Sequence, residues 1–164
     1  MSHLPALLRV GTRLTGQQAD AEDLAQETLA RALERRDELR DPAALKGWLL
    51  AVQRTTFLNS RRRMGPRLEV LQGGLAAADE PIVLPSHEAA DGVGDELQSA
   101  LDALPETWRE ALWLREVDEL SYEEIARVLQ CPVGTVRSRL ARARGALLEG
   151  FSRRRKEASN GRMS

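Results

Sequence analysis

The chain has 164 residues, a formal net charge of −1 and one cysteine, which leaves room for one domain or two small ones and excludes a large catalytic fold and any intrachain disulfide. Ala, Leu, Arg and Glu dominate and β-branched runs are nearly absent, so an all-α fold is expected. The near-neutral average conceals segregation: residues 131–164 carry 9 basic and 2 acidic side chains whereas 96–130 carry 3 and 9, a basic tail end beside an acidic middle.

From the N-terminus, Leu4 to Leu14 reads as a short helix ending near Gly16. Asp20 is suited to cap a second helix, and Asp23 three residues on brings another carboxylate to the free backbone N–H groups. That helix is expected to run to about Arg36. Ala21, Leu24, Ala25, Thr28, Leu29, Ala32 and Leu33 form a broad apolar arc on it, with Asp23, Gln26, Glu27, Ala30, Arg31 and Glu34 opposite. One face packs and the other is free for a partner. Asp41-Pro42 announces a third helix, a cap followed by proline at the first helical position. Leu45, Trp48, Leu49, Val52 and Thr56 make its stripe, while Lys46, Gln53, Arg54, Arg61, Arg62 and Arg63 lie off it, and Met64-Gly65-Pro66 stops it.

Residues 64–94 contain Gly73-Gly74, Pro81, Pro85, Gly92 and Gly94 with no sustained period. They read as a flexible acidic linker with a brief helical turn around Leu68 to Leu71. Two small helical domains, 1–63 and 95–152, folded separately and tethered, follow from that, with 153–164 as a basic disordered tail. In the second domain a short helix reaches Leu104. Pro105 begins another that runs to about Val117 and buries parts of Trp108, Leu112 and Trp113. Ser121 and Glu124 have the spacing of a capping box, opening a helix with Ile125, Ala126 and Leu129 that ends near Gln130. After Cys131, Pro132 starts a last helix extending to about Leu148. Two helices separated by a three or four residue turn form a helix-turn-helix, whose second helix enters the major groove of DNA.

The surface of that last helix suits a groove. At 100 degrees per residue Val136, Leu140, Ala143 and Leu147 share an inward sector, with Gly134 and Ser138 opposite. Arg137 and Arg144 stack on one flank, and Thr135, Arg139 and Arg142 occupy the other. Thr135 and Ser138 are short enough to meet base edges. Arg137 or Arg139 can reach a guanine or a phosphate, and Arg142 and Arg144 suit the backbone. Ser121 and Tyr122, at the start of the preceding helix, can receive a phosphate.

Elsewhere the signals are sparse. Cys131, just before the recognition helix, is a candidate redox thiol if exposed with a lowered pKa, the alternative being a small packing residue of the turn. His3 and His87 belong to no metal-ligand spacing, so neither metal nor cofactor is expected. Without a phosphate loop or nucleophile motif, the chain is not expected to be an enzyme. Leu4 to Val10 is interrupted by Pro5 and Arg9 and makes no secretory core, and no stretch approaches a membrane span. A cytoplasmic protein without direct membrane insertion is the expectation, and no homo-oligomer.

Two segments carry a family resemblance: Asp20-Ala-Glu-Asp-Leu-Ala-Gln-Glu-Thr-Leu-Ala-Arg-Ala-Leu33, and Leu120-Ser-Tyr-Glu-Glu-Ile-Ala-Arg-Val-Leu129 followed by Pro132-Val-Gly-Thr-Val-Arg-Ser-Arg-Leu-Ala-Arg-Ala-Arg144. In order and spacing the chain resembles the extracytoplasmic-function sigma factors, small bacterial initiation factors that direct core RNA polymerase to promoters. The resemblance implies that the first domain binds core polymerase and opens the minus-ten element and that the helix-turn-helix reads the minus-thirty-five element. It implies polymerase contacts at Asp23, Gln26, Glu27, Arg31 and Glu34. For the minus-ten element it implies a base-capturing loop over Arg35 to Lys46, including Arg36 and Arg40, with Gln53, Arg54, Asn59, Arg61 and Arg62 following the strand. Only Trp48 and Phe57 are close enough to stack on a base, so a hydrogen-bonding pocket is expected rather than an aromatic platform. The resemblance also implies an anti-sigma factor as partner, clamped between the two domains.

The sequence departs from the family at two places. Gln130 stands where a glycine usually precedes the last helix, at a modest strain cost if its φ is positive, and Thr55 replaces an asparagine often found after the arginine matched by Arg54. Two other functions remain open at this point: a stand-alone helix-turn-helix regulator, or a sigma-like decoy that occupies an anti-sigma factor. The intact basic recognition surface argues against the decoy.

Overall fold

The structure, a computed structural model, describes residues 2–64 and 94–160. The linker reading, with its turn at Leu68 to Leu71 and His87, falls outside the described residues. Seven α-helices and two single 3-10 turns make up what is described.

Helix α1 (Leu4–Thr15) carries Pro5 in its first turn and stops where Gly16 turns left-handed, φ 79°, its N–H bonded to the Thr12 carbonyl. Helix α2 (Gln18–Glu34) begins earlier than the cap expected at Asp20. Gln17 is the N-cap, extended and without a side-chain bond, and Asp20 lies within the first turn, where its charge still favours the helix dipole. The two helices cross closely at Gly11, where an added Cβ would stand 3.2 Å from the Ala21 Cβ. Ala21, Leu24, Ala25, Thr28 and Ala32 are buried. Leu29 and Leu33 are instead 40 % and 69 % exposed, because among the described residues α2 packs mainly on α1 and α3, and these cover a narrower sector than the full arc.

The Asp41 carboxylate accepts the Ala43 N–H at 2.9 Å, capping a 3-10 turn (Pro42–Ala44) that feeds α3 (Leu45–Met64). Gly47, Leu49, Leu50, Val52, Gln53, Thr56 and Phe57 are buried around more than one side of α3, as a helix packed on two faces requires. One face meets α1 and α2; the other meets α6.

The second segment comprises α4 (Asp95–Asp102), α5 (Glu106–Glu116), α6 (Tyr122–Leu129) and α7 (Val133–Asn160). Its centre holds Leu101, Leu104, Leu112, Leu114, Ile125, Leu129, Val136, Leu140 and Ala143, all buried. Helix α7 continues past residue 152 across eight residues expected to be a disordered tail. No glycine or proline interrupts Phe151 to Asn160, and its Arg, Lys, Glu and Ala residues favour helix.

The two segments are helical and stand in the expected order, and they are docked against each other, which the sequence did not foretell. Their buried apolar side chains form one contiguous cluster, with α3 laid against α6. Ion pairs cross the seam. Asp118, fully buried in the α5–α6 connection, accepts Arg9 Nη2 at 3.0 Å and also pairs with Arg13, and its carbonyl accepts Lys46 Nζ. Arg54 Nε meets Glu110 Oε1 at 2.9 Å. Burial lowers the pKa of Arg13 from its ordinary value, and the Asp118 carboxylate opposes that shift. Among the described residues no helix is long and apolar enough to cross a membrane.

Candidate nucleic-acid interface

The helix-turn-helix is built from its caps. Ser121 Oγ accepts the Glu124 N–H at 3.1 Å, and Glu124 Oε2 accepts the Ser121 N–H at 2.8 Å, so the capping box satisfies two N–H groups reciprocally. Helix α6 ends at Gln130, left-handed at φ 52° and ψ 48°, whose N–H reaches the Ala126 carbonyl. The Pro132 carbonyl then accepts from Thr135 and Val136 and starts α7. Val136, Leu140 and Ala143 are almost completely buried and lock the helix in rotation.

That rotation decides which side chains reach a groove. Gly134, Arg137, Ser138, Ala141 and Arg142 are exposed, and Thr135 and Arg139 are half-buried. Arg139 Nη1 lies 3.9 Å from Cys131 Sγ. Arg144 pairs with Glu116 at 2.7 Å, which neutralises part of one flank. Ser121 is committed to its cap, and the Arg115 guanidinium stacks 5.2 Å from the Tyr122 ring centre. Among the described residues, the exposed face open to a groove is therefore Arg137, Ser138 and Arg142, narrower than the expected set. Cys131 also differs from its expected character: the thiol is half-buried, and burial raises its pKa while Arg139 only partly opposes this.

In the first segment, α2 and α3 border a groove of about 440 Å³ lined by Glu27, Ala30, Arg31, Glu34, Arg35, Val52, Thr55, Thr56 and Asn59. It brings residues expected to touch polymerase (Glu27, Arg31, Glu34) beside two expected to touch the strand (Arg35, Asn59). Glu27 and Arg31 pair at 2.6 Å, and Arg35 pairs with Glu38 at 2.7 Å. That hydrogen bond raises the Arg35 pKa and lowers that of Glu38. Asp23 and Gln26 are exposed on α2, Arg36 and Arg40 in the following loop, and Arg61 and Arg62 at the end of α3.

Three side chains expected to line the strand are engaged elsewhere. Gln53 is fully buried and donates through Nε2 to the Leu7 carbonyl at 2.8 Å, tying α3 to α1. Its place off the leucine stripe mimics a surface position, but α3 has two packed faces and Gln53 lies between them. Lys46 and Arg54 are held at the seam by the Asp118 carbonyl and Glu110. Of the two nearby aromatics, Phe57 is buried and Trp48 packs partly buried against the core, so neither presents an open stacking face. The pairing of Arg9 and Arg13 with Asp118 has no counterpart in the sequence reading, because residues over a hundred positions apart leave no local signal.

Comparison with known proteins agrees with this architecture. Residues 1–66 match the model for Sigma-70 region 2, and residues 94–147 that for Sigma-70 region 4. The ECF RNA polymerase sigma factor SigE of Mycolicibacterium smegmatis is 36 % identical over 159 residues, covering 96 % of this chain and 62 % of that protein. The chain thus spans less than two thirds of that relative's length. The ECF RNA polymerase sigma factor EcfG of Rhodopseudomonas palustris is 34 % identical, with 90 % of this chain and 80 % of that one covered. The sigma factor RpoE of Bartonella quintana, solved in complex with the anti-sigma factor NepR, superposes with a TM-score of 0.63 at 30 % identity over 92 % of both chains. With two region models matched in order around a capped helix-turn-helix, the chain belongs to the ECF family of RNA polymerase sigma factors.

Proposed function

We propose that the chain is a non-catalytic promoter-specificity subunit that binds core RNA polymerase in the cytoplasm and directs transcription initiation. The observation that carries this reading is the exposed face of α7, with Arg137, Ser138 and Arg142 outward on a helix locked by Val136, Leu140 and Ala143. On this reading Arg137 and Ser138 address base edges of the minus-thirty-five element and Arg142 its backbone, with Thr135, Arg139, Arg144, Ser121 and Tyr122 at the margin.

The first segment supplies the rest. Asp23, Gln26, Glu27, Arg31 and Glu34 make the polymerase-facing side of α2, and exposed Leu29 and Leu33 add apolar area beside them. Arg35, Arg36, Arg40, Asn59, Arg61 and Arg62 follow the minus-ten strand, joined by Lys46 and Arg54 when these leave the seam; Gln53 is removed from this set. An anti-sigma factor is the natural regulator, since the Bartonella relative was solved bound to one. The match over residues 1–66 favours a polymerase subunit over a stand-alone regulator, which has no use for such a domain.

Reconstituted transcription tests this. Purified core polymerase with the chain and genomic promoter fragments should yield start-site-specific RNA that depends on the chain. Arg137→Ala should impair recognition of the upstream element and Glu27→Ala should weaken polymerase binding. Absence of core binding and of any change in initiation would sink the proposal.

A further inference from the structure

Asp118 is a buried charge that lies outside both proposed binding faces. Its side chain is fully buried, and Arg9 and Arg13, which pair with it, both belong to the other domain. Within its own domain Asp118 is held through the backbone, its N–H bonded to the Trp113 carbonyl. The carboxylate therefore gains these partners only when the domains are docked. A buried ion pair contributes little as glue, but it strongly disfavours any docking that leaves one charge unpaired. A second device lies across the same seam. A Cβ added at Gly47 would stand 3.0–3.1 Å from Oε1, Cβ and Cγ of Glu124. Glu124 cannot swing aside without losing its capping-box bond to the Ser121 N–H. Glycine at 47 is thus what lets α3 approach α6.

This closed seam uses up part of α3. Lys46 Nζ is bonded to the Asp118 carbonyl, and Arg54, 13 % exposed in its side chain, to Glu110. Arg137, Ser138 and Arg142 on α7 remain outside.

We propose that the docked arrangement is a self-inhibited state of the free chain, fastened by Asp118 and permitted by Gly47, which must open before Lys46 and Arg54 meet promoter DNA. The claim that closure inhibits rests on the promoter-subunit reading above; the claim that the free chain is closed does not. Opening is allowed by the length of chain between the domains, since residues 65–93 drawn out would reach about 100 Å.

The test uses two variants of opposite physics. Asp118→Ala removes the fastening charge, so closing would leave Arg13 buried and unpaired. Gly47→Leu leaves every charged side chain unchanged and wedges α3 from α6, while improving the helix propensity of α3. Both are made in a full-length Cys131→Ser chain labelled with a fluorescent pair at Glu22→Cys and Glu149→Cys, and energy transfer is read without any partner. High transfer in the unsubstituted chain, lowered in both variants with helical circular dichroism retained, is expected. With core polymerase and a forked minus-ten fragment, both variants should bind about tenfold more tightly, the factor by which a 90 % closed population weakens apparent affinity. Low transfer in the parent chain, or unchanged transfer in a folded variant, overturns the closed state. Lowered transfer with unchanged affinity overturns the inhibition. A parent chain that neither binds core nor initiates transcription overturns the promoter-subunit reading instead, and with it the inhibition, whatever the transfer shows.

Discussion

Gln130 offers the most direct check of the helix-turn-helix geometry. Its backbone is left-handed, φ 52° and ψ 48°, and its side chain is exposed. A Cβ there crowds the following carbonyl and costs about 1–2 kcal/mol, which glycine would relieve. Glycine also frees the unfolded chain and gives back about 0.4–1 kcal/mol. Gln130→Gly should therefore stabilise the chain by a net of about 0.5–1 kcal/mol, a rise of roughly 1–4 °C in Tm if the docked domains melt as one unit of this size. Gln130→Ala keeps the Cβ and loses only an exposed side chain, so its stability should stay within about 0.5 kcal/mol of the parent. Thermal and urea unfolding followed by circular dichroism measure all three chains. A glycine variant no more stable than the alanine variant would refute the left-handed turn as the source of strain.

Three other outcomes follow from particular contacts. Gln53→Ala removes the buried donor to the Leu7 carbonyl and should cost about 2 kcal/mol of stability, read as a lower urea midpoint in the absence of DNA; a stable variant with weakened DNA binding would restore Gln53 to the strand. In duplex titrations across salt, Arg142→Ala should reduce the slope of log affinity against log salt by about 1. Arg144→Ala should reduce it less, because that charge is already paired with Glu116. The raised pKa of Cys131 keeps the thiol protonated at neutral pH, so aromatic-disulfide reagents should react more slowly with the folded chain than with the unfolded one. By the same sign, ionising the thiol disfavours the folded state, so its contribution to stability is present below the unfolded thiol's pKa and falls as pH rises through the higher folded value. Reaction as fast when folded as when unfolded would restore the redox candidate.

The features legible in the sequence are those set by neighbours along the chain. The Ser121–Glu124 capping box, the Asp41-Pro42 start, the Gly16 stop and the inward line of Val136, Leu140 and Ala143 each involve residues within a turn or two of one another. The positive φ at Gln130 was pointed to by the family resemblance, which usually places a glycine there, and not by its neighbours along the chain. Hydrophobic period failed where a helix has more than one neighbour or too few. On α3 the second packed face turned Gln53 from an apparent surface donor into a core residue, and on α2 the limited cover of α1 and α3 left Leu29 and Leu33 outside.

The sequence by itself thus determined most of the helices, the caps at Gly16, Asp41 and Ser121 and the rotation of the recognition helix, since 3.6-residue periodicity and terminal hydrogen bonds are local. Only the tertiary structure decided that the two domains dock, that Asp118 is buried among cations from the other domain, and that Lys46 and Arg54 are occupied. Those contacts join residues 56 to 109 positions apart, and a charge or a glycine carries no mark in sequence of which distant surface it will meet.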